Sequence, residues 1–135
     1  RYGQIFKQEL IDIPKLGVVN LHSGILPDYR GILASFWAIL RGEKEIGATL
    51  HYIEDEGIDD GEIIDIYRCK VDFEKSFFAN VFGLYDGGCE MVLRFLRGVG
   101  EKTKVTKNKK RGSGGYFSYP HEEDVEKFLK MMRLV

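Results

Sequence analysis

Little in this sequence fixes a class by itself. There are two cysteines, Cys69 and Cys89, without the spacing of a metal knuckle. That excludes a disulfide framework and a zinc ribbon. Reduced, partly buried thiols in a cytosolic protein are the favoured reading, with a single disulfide left open. The net charge of −1 over 135 residues gives no overall field to draw the chain to nucleic acid or an acidic membrane. The apolar runs are far too short to cross a bilayer, and no signal peptide or internal repeat is visible. What remains is a length and composition suited to one soluble domain with a real core, expected in the cytoplasm.

The informative stretch is Asn20-Leu21-His22-Ser23-Gly24-Ile25-Leu26-Pro27-Asp28-Tyr29-Arg30-Gly31. It comes after Leu16-Gly17-Val18-Val19, short and β-branched enough for a buried strand. Asn20 and His22 then fall at the carboxyl end of that strand, the edge where open α/β sheets bind ligands. Alternate residues of a strand share a face, so the amide and the imidazole are directed at one substrate. The imidazole can move or donate a proton, and the amide can hydrogen-bond a developing oxyanion. Pro27 and Gly31 shape the loop after the strand.

Further along, residues 8–13 read as a short helix stopped by Pro14. Leu33, Phe36, Trp37 and Leu40 form one apolar face of a helix predicted over residues 32–41, with Gly42 just past its end. Trp37 is read as core. Residues 46–53 read as a strand carrying Ala48, Leu50 and Tyr52 on one face and Thr49, His51 and Ile53 on the other. A third strand covers residues 63–67 and resumes at Cys69, with a break or bulge near Arg68. Residues 74–97 are predicted as a long helix, with Phe77, Val81, Leu84, Met91 and Phe95 in one stripe, widened by Phe78, Tyr85, Val92 and Leu96. That stripe reads as core rather than a binding groove, and Gly87-Gly88 within it imply close packing or a kink. The basic run from Lys102 to Arg111 is read as a solvated hairpin edge, because no aromatics are interleaved to stack on bases. Gly112-Ser113-Gly114-Gly115 is a flexible link; no Lys-Ser/Thr pair comes after it to make it a phosphate loop. A last helix, residues 121–133, turns Val125, Phe128, Leu129 and Met132 inward.

The loop Glu54-Asp55-Glu56-Gly57-Ile58-Asp59-Asp60-Gly61 is acidic, and blandly read it is a solvated turn. Ile58 argues against that, as an apolar residue placed as if anchored. If the loop folds over a site, neighbouring carboxylates and lost solvent should raise the proton affinity of Asp59.

These residues carry a resemblance. The stretch from Asn20 resembles the Asn-x-His-x-x-x-Leu-Pro signature of the folate-dependent formyltransferases, which include glycinamide ribonucleotide, methionyl-tRNA and nucleotide-sugar amine formyltransferases. Gly57-Ile58-Asp59-Asp60-Gly61-Glu62-Ile63-Ile64 resembles the family's Asp-x-Gly loop, whose spacing selects Asp59 over Asp60. The likeness runs from roughly Tyr2 to Gly98. Two departures bear on loop shape: the order Ser23-Gly24, and a segment between His51 and Asp59 that is longer than in many relatives.

The resemblance implies a Rossmann-like three-layer α/β fold, an open mixed sheet flanked by helices and lacking its amino-terminal strands. On that reading residues 1–100 are the carboxyl-terminal part of a catalytic domain, and residues 101–135 add a basic hairpin or linker and a terminal amphipathic helix packing on the same domain. The implied catalytic set is Asn20, His22 and Asp59. The implied cofactor-binding residues are Gln4, Phe6, Ile58 and Asp59, with Gln4 and Phe6 offering main-chain groups to the pterin; a frayed terminus is the alternative there. His51 stands either near the site, outside the catalytic three, or as a structural histidine. The implied formyl donor is 10-formyltetrahydrofolate, and no metal is needed. The implied reaction gives the formyl group to a primary amine of a small acceptor, an amino sugar nucleotide being favoured since the carboxyl-terminal barrel of tRNA formyltransferases has no counterpart. The alternatives are a formyltetrahydrofolate hydrolase and a folate- or nucleotide-binding module without turnover. No nucleic-acid or membrane partner is expected, and a homodimer is left open.

Overall fold

The computed structural model describes residues 5–100 and 114–135. Gln4 and the basic run at 102–111 therefore lie outside the described residues. The fold is α/β. Its centre is β3 (Glu45–Ile53), flanked by β1 (Val18–His22) on one side and β4 (Ile63–Lys70) on the other, both antiparallel to it. A central strand with both faces covered loses the alternation of a half-exposed one: every residue from Ile46 to His51 is buried. Ile25 closes over Gly47 on one face, and the long helix lies against Ala48 on the other.

A second, two-stranded sheet pairs β2 (Tyr29–Gly31) in parallel with β5 (Gly115–Phe117). Sequence reading missed both, assigning the first to a loop and the second to the flexible link and the approach to the last helix. Three residues are too few to show a period. β4 also differs from expectation. It runs unbroken through Arg68, which is simply an exposed position of the strand. The irregularity lies at the other end, where the register steps from Leu50 opposite Asp65 to His51 opposite Ile63. Ile64 is the extra residue of a bulge, next to the acidic loop.

α1 (Gln8–Ile11) is a single turn, and α2 (Ala34–Leu40) buries Phe36 and Ile39. α3 (Phe77–Gly100) starts later than predicted, because the Ser76 hydroxyl accepts the Ala79 N–H at 3.2 Å and caps it. Phe77, Val81, Leu84 and Met91 enter the core, whereas Phe78, Tyr85 and Leu96 are exposed, as is Phe82. The widening residues therefore divide: Val92 packs against the core, whereas Phe78 and Tyr85, together with Phe82, line an apolar groove of about 290 Å³. Only one stripe of a long helix can meet so narrow a sheet. The paired glycines pack closely: a Cβ at Gly87 would stand 2.5 Å from the Tyr67 ring, and one at Gly88 3.0 Å from Leu21.

α4 (Glu122–Leu129) ends earlier than predicted. Phe128 is fully buried and stacks on Phe36 with centroids 4.3 Å apart. Leu129 faces outward instead, and Met132 reaches the core from beyond the helix end. The tail then returns to α3, where the carbonyls of Arg133 and Leu134 accept the N–H groups of Phe77 and Phe78 at 2.8 and 3.1 Å. Donors that a helix start leaves open are satisfied there by the chain's last residues.

Candidate active site

β1 carries Asn20 and His22 on one face, and both reach the same carboxylate. Asn20 Nδ2 donates to Asp59 Oδ1 at 3.4 Å, and His22 Nδ1 lies 3.4 Å from Asp59 Oδ2. The three residues singled out from the sequence are thus brought together, and the acidic loop turns one side chain inward. Asp59 does so from the left-handed region, at φ 50°. A short polar side chain tolerates that conformation where a branched one does not.

A fourth side chain joins them. His51 stands opposite Asn20 in the β1–β3 pairing, and only 1% of it is exposed. Its Nε2 is 3.2 Å from Asn20 Nδ2 and 3.5 Å from Asp59 Oδ1. Its Nδ1 is 2.9 Å from the Tyr52 carbonyl oxygen, which can only accept, so Nδ1 carries a proton. A neutral His51 ring then offers Nε2 to the Asn20 amide, and a protonated one offers an N–H to Asp59. His51 is therefore part of the cluster, not a histidine standing apart from it.

Backbone groups complete the arrangement, and these the sequence did not announce. His22 Nε2 lies 2.7 Å from the Tyr29 carbonyl oxygen. By the same argument Nε2 carries a proton, and Nδ1, which carries a second one when the ring is charged, faces Asp59. Gly31 donates its N–H to Asp59 Oδ2 at 2.9 Å. No side-chain signature marks such groups; the only signal is Gly31 itself, at φ 90°, a conformation that favours glycine.

Burial would push the Asp59 carboxyl up. The His51 ring against it, the charge of His22 and the Gly31 N–H outweigh that, and its proton affinity lies below the ordinary aspartate range. This corrects the expectation of a raised affinity. The neighbouring acids of the loop point elsewhere, Glu56 to Lys7 and Glu54 to the Glu62 N–H, so what Asp59 faces is imidazole and N–H.

Phe6 and Ile58, the other described members of the expected cofactor set, are half-buried. Their segments are neighbours: Lys7 Nζ pairs with Glu56 at 3.0 Å, and the Gln8 N–H donates to the same carboxylate at 3.4 Å. Gln4 lies outside the described residues. Among the described residues, no group of three or more His, Cys, Asp and Glu side chains is arranged to hold a metal ion.

Comparison with known proteins bears on this cluster. The family model described as "Formyl transferase" matches residues 1–78. The methionyl-tRNA formyltransferase of Clostridium tetani is 33% identical over 117 residues, which is 87% of this chain and 37% of that protein. An N-formyltransferase from Helicobacter canadensis, solved with folinic acid and dTDP-3-aminofucose, aligns with TM-score 0.73 and 29% identity over 91% of this chain and 44% of that one. The formyltransferase PseJ from Anoxybacillus kamchatkensis, solved with UDP-4,6-dideoxy-4-formamido-L-AltNAc and tetrahydrofolate, has TM-score 0.76 at 24% identity, covering 96% of this chain and 65% of that one; it speaks to the fold alone. This chain spans about a third of the length of the curated relatives it matches.

Proposed function

This chain belongs to the formyl transferase family, and from that premise we propose that it takes part in moving a formyl group from 10-formyltetrahydrofolate to a primary amine. The observation that carries the reading is the convergence of Asn20, His22 and His51 on the Asp59 carboxylate. The residues fit such a donor. The segment of Phe6 is joined through Lys7 and Glu56 to the loop that carries Ile58 and Asp59, and the cluster is rich in N–H groups and imidazole.

The donor supplies a formyl carbon open to attack by the amine. The protein's part is to orient and to move protons. With both ring nitrogens protonated beside the Asp59 carboxylate, His22 donates a hydrogen bond or a proton from Nδ1 to the formyl oxygen as that oxygen gains charge, since the Nε2 N–H is already committed to Tyr29. The separation of 3.4 Å between Nδ1 and Asp59 is long for a hydrogen bond, so this pairing is weak enough to yield to a substrate oxygen. Asn20 holds Asp59 and lines the position of the developing charge. Asp59 orients His22 and would take up, through a water molecule, the proton that the attacking amine sheds; the same proton would pass to the folate nitrogen as its bond to the formyl carbon breaks, leaving tetrahydrofolate and the formylated amine. Its low proton affinity keeps Asp59 ionised and open to a proton, and makes it a weaker base than an ordinary aspartate, so the uptake is brief.

For the acceptor we propose the amine of an amino sugar nucleotide, supported by the sugar-containing complexes among the structural neighbours. The second reading is the amine of methionyl-tRNA, favoured by the identity to the Clostridium tetani enzyme. The hydrolase alternative draws no support from the relatives named, which are transferases by name.

The test is to titrate the protein with 5-formyltetrahydrofolate by calorimetry and to assay formyl transfer with dTDP- and UDP-linked amino sugars and with methionyl-tRNA. Asp59→Asn is expected to keep binding and to lower kcat by about 10²–10⁴-fold. Unchanged transfer by Asp59→Asn would sink the assignment of Asp59, and transfer to tRNA alone would reverse the choice of acceptor.

A further inference from the structure

Successive N–H groups of a strand point to opposite edges, and β2 uses both of its edges. At Gly31 the N–H points to Asp59 Oδ2, 2.9 Å away. At the next residue, Ile32, it points the other way, to the carbonyl of Phe117 at 2.8 Å. Two residues before Gly31, the Tyr29 carbonyl holds His22 Nε2. This three-residue strand therefore supplies one backbone partner to His22 and one to Asp59, and β5 is the strand it pairs with.

Phe117 is the centre of that support. Its ring is stacked between Tyr29 and Trp37, with centroids 5.4 Å from each. The Arg41 guanidinium lies over it at 4.7 Å. A Cβ at Gly31 would run into the Phe117 carbonyl oxygen, so the two backbones approach as closely as glycine allows. The Arg30 guanidinium reaches the Gly114 carbonyl at 3.1 Å, across 84 positions of sequence. The ring partners of Phe117 are Tyr29, Trp37 and Arg41 rather than the four side chains of the cluster, so what it contributes passes through β2.

We propose that Phe117 is a positioning residue for the reaction: by holding β2 in place it sets the angle and distance at which His22 and Asp59 face each other. This deepens the functional reading above and rests on it. Loosening β2 withdraws the Gly31 N–H from Asp59 and lets His22 drift. A displacement of about 1 Å at a reacting group costs up to about 10²-fold in rate.

The variant to make is Phe117→Leu, which keeps apolar volume and removes both ring stacks, with Phe117→Ala as a second. Two readouts are taken on folded protein: kcat and KM for each substrate, and the titration of the Asp59 carboxyl tracked by carbon NMR. The expected result is a fall in kcat of about tenfold or more with KM nearly unchanged. The Asp59 titration should also move upward, since two of the groups that favour its ionised form are loosened. An unmoved Asp59 titration overturns the proposal, as does a normal kcat in an active enzyme. Loss of the fold in both variants also overturns it, because Phe117 would then serve stability and not position. If even the wild type transfers no formyl group, the functional reading fails, while the carboxyl titration still decides whether Phe117 acts on Asp59.

Discussion

Asp59 combines three unusual conditions: a left-handed backbone, two histidines within reach and a carboxyl whose proton affinity is low despite burial. Asparagine tolerates the same backbone region, so Asp59→Asn removes charge without adding strain. A carboxylate that binds its proton less readily folded than unfolded stabilises the fold while ionised. The contribution is complete above the ordinary value of 3.8 and fades as pH falls through the lower folded value. The urea midpoint of the wild type is therefore expected to fall between about pH 6 and about pH 3, and that of Asp59→Asn to fall less. Equal losses in the two proteins would mean that Asp59 is not held more tightly in the folded state.

At the scale of elements, the glycines of α3 give a paired test. A Cβ added at Gly83 would meet nothing within 4 Å, whereas at Gly87 it would stand 2.5 Å from the Tyr67 ring. Gly83→Ala is expected to raise stability by about 0.5–1 kcal/mol from helix propensity alone. Gly87→Ala gains the same propensity and loses about 1–3 kcal/mol to overpacking, for a net destabilisation. Chemical denaturation of the two variants measures the contrast, and matching gains would show that the helix can lift off Tyr67 at no cost. Elements of this size were legible in the sequence, since β4, α2 and α3 carry enough residues to show a pattern and β3 is a long, mostly apolar run. β2 and β5 were not, because three residues cannot show one, and the pair is held together by a contact between distant parts of the chain. Asn20, His22 and Asp59 were legible as side chains with a recognisable spacing. The Tyr29 carbonyl and the Gly31 N–H were not, because nearly every residue has such groups and only the folded path decides which ones matter.

Over the whole molecule, among the described residues, no helix is long and apolar enough to cross a membrane. The chain closes on itself through its last residues, with the Arg133 and Leu134 carbonyls on the first N–H groups of α3 and Leu134 packed against the core. Removing residues 133–135 is expected to cost about 1–3 kcal/mol, read as a lower thermal midpoint. An unchanged midpoint would mean that water serves those donors equally well. The pairing of β2 with β5 has a different kind of consequence, one of timing. A chain leaves the ribosome amino terminus first, so Asn20, His22 and Asp59 are all made well before Phe117. A nascent chain can hold all four side chains of the cluster and still lack the strand that pairs with β2. The backbone partners that β2 offers to His22 and Asp59 are therefore braced only after residues 115–117 have been made.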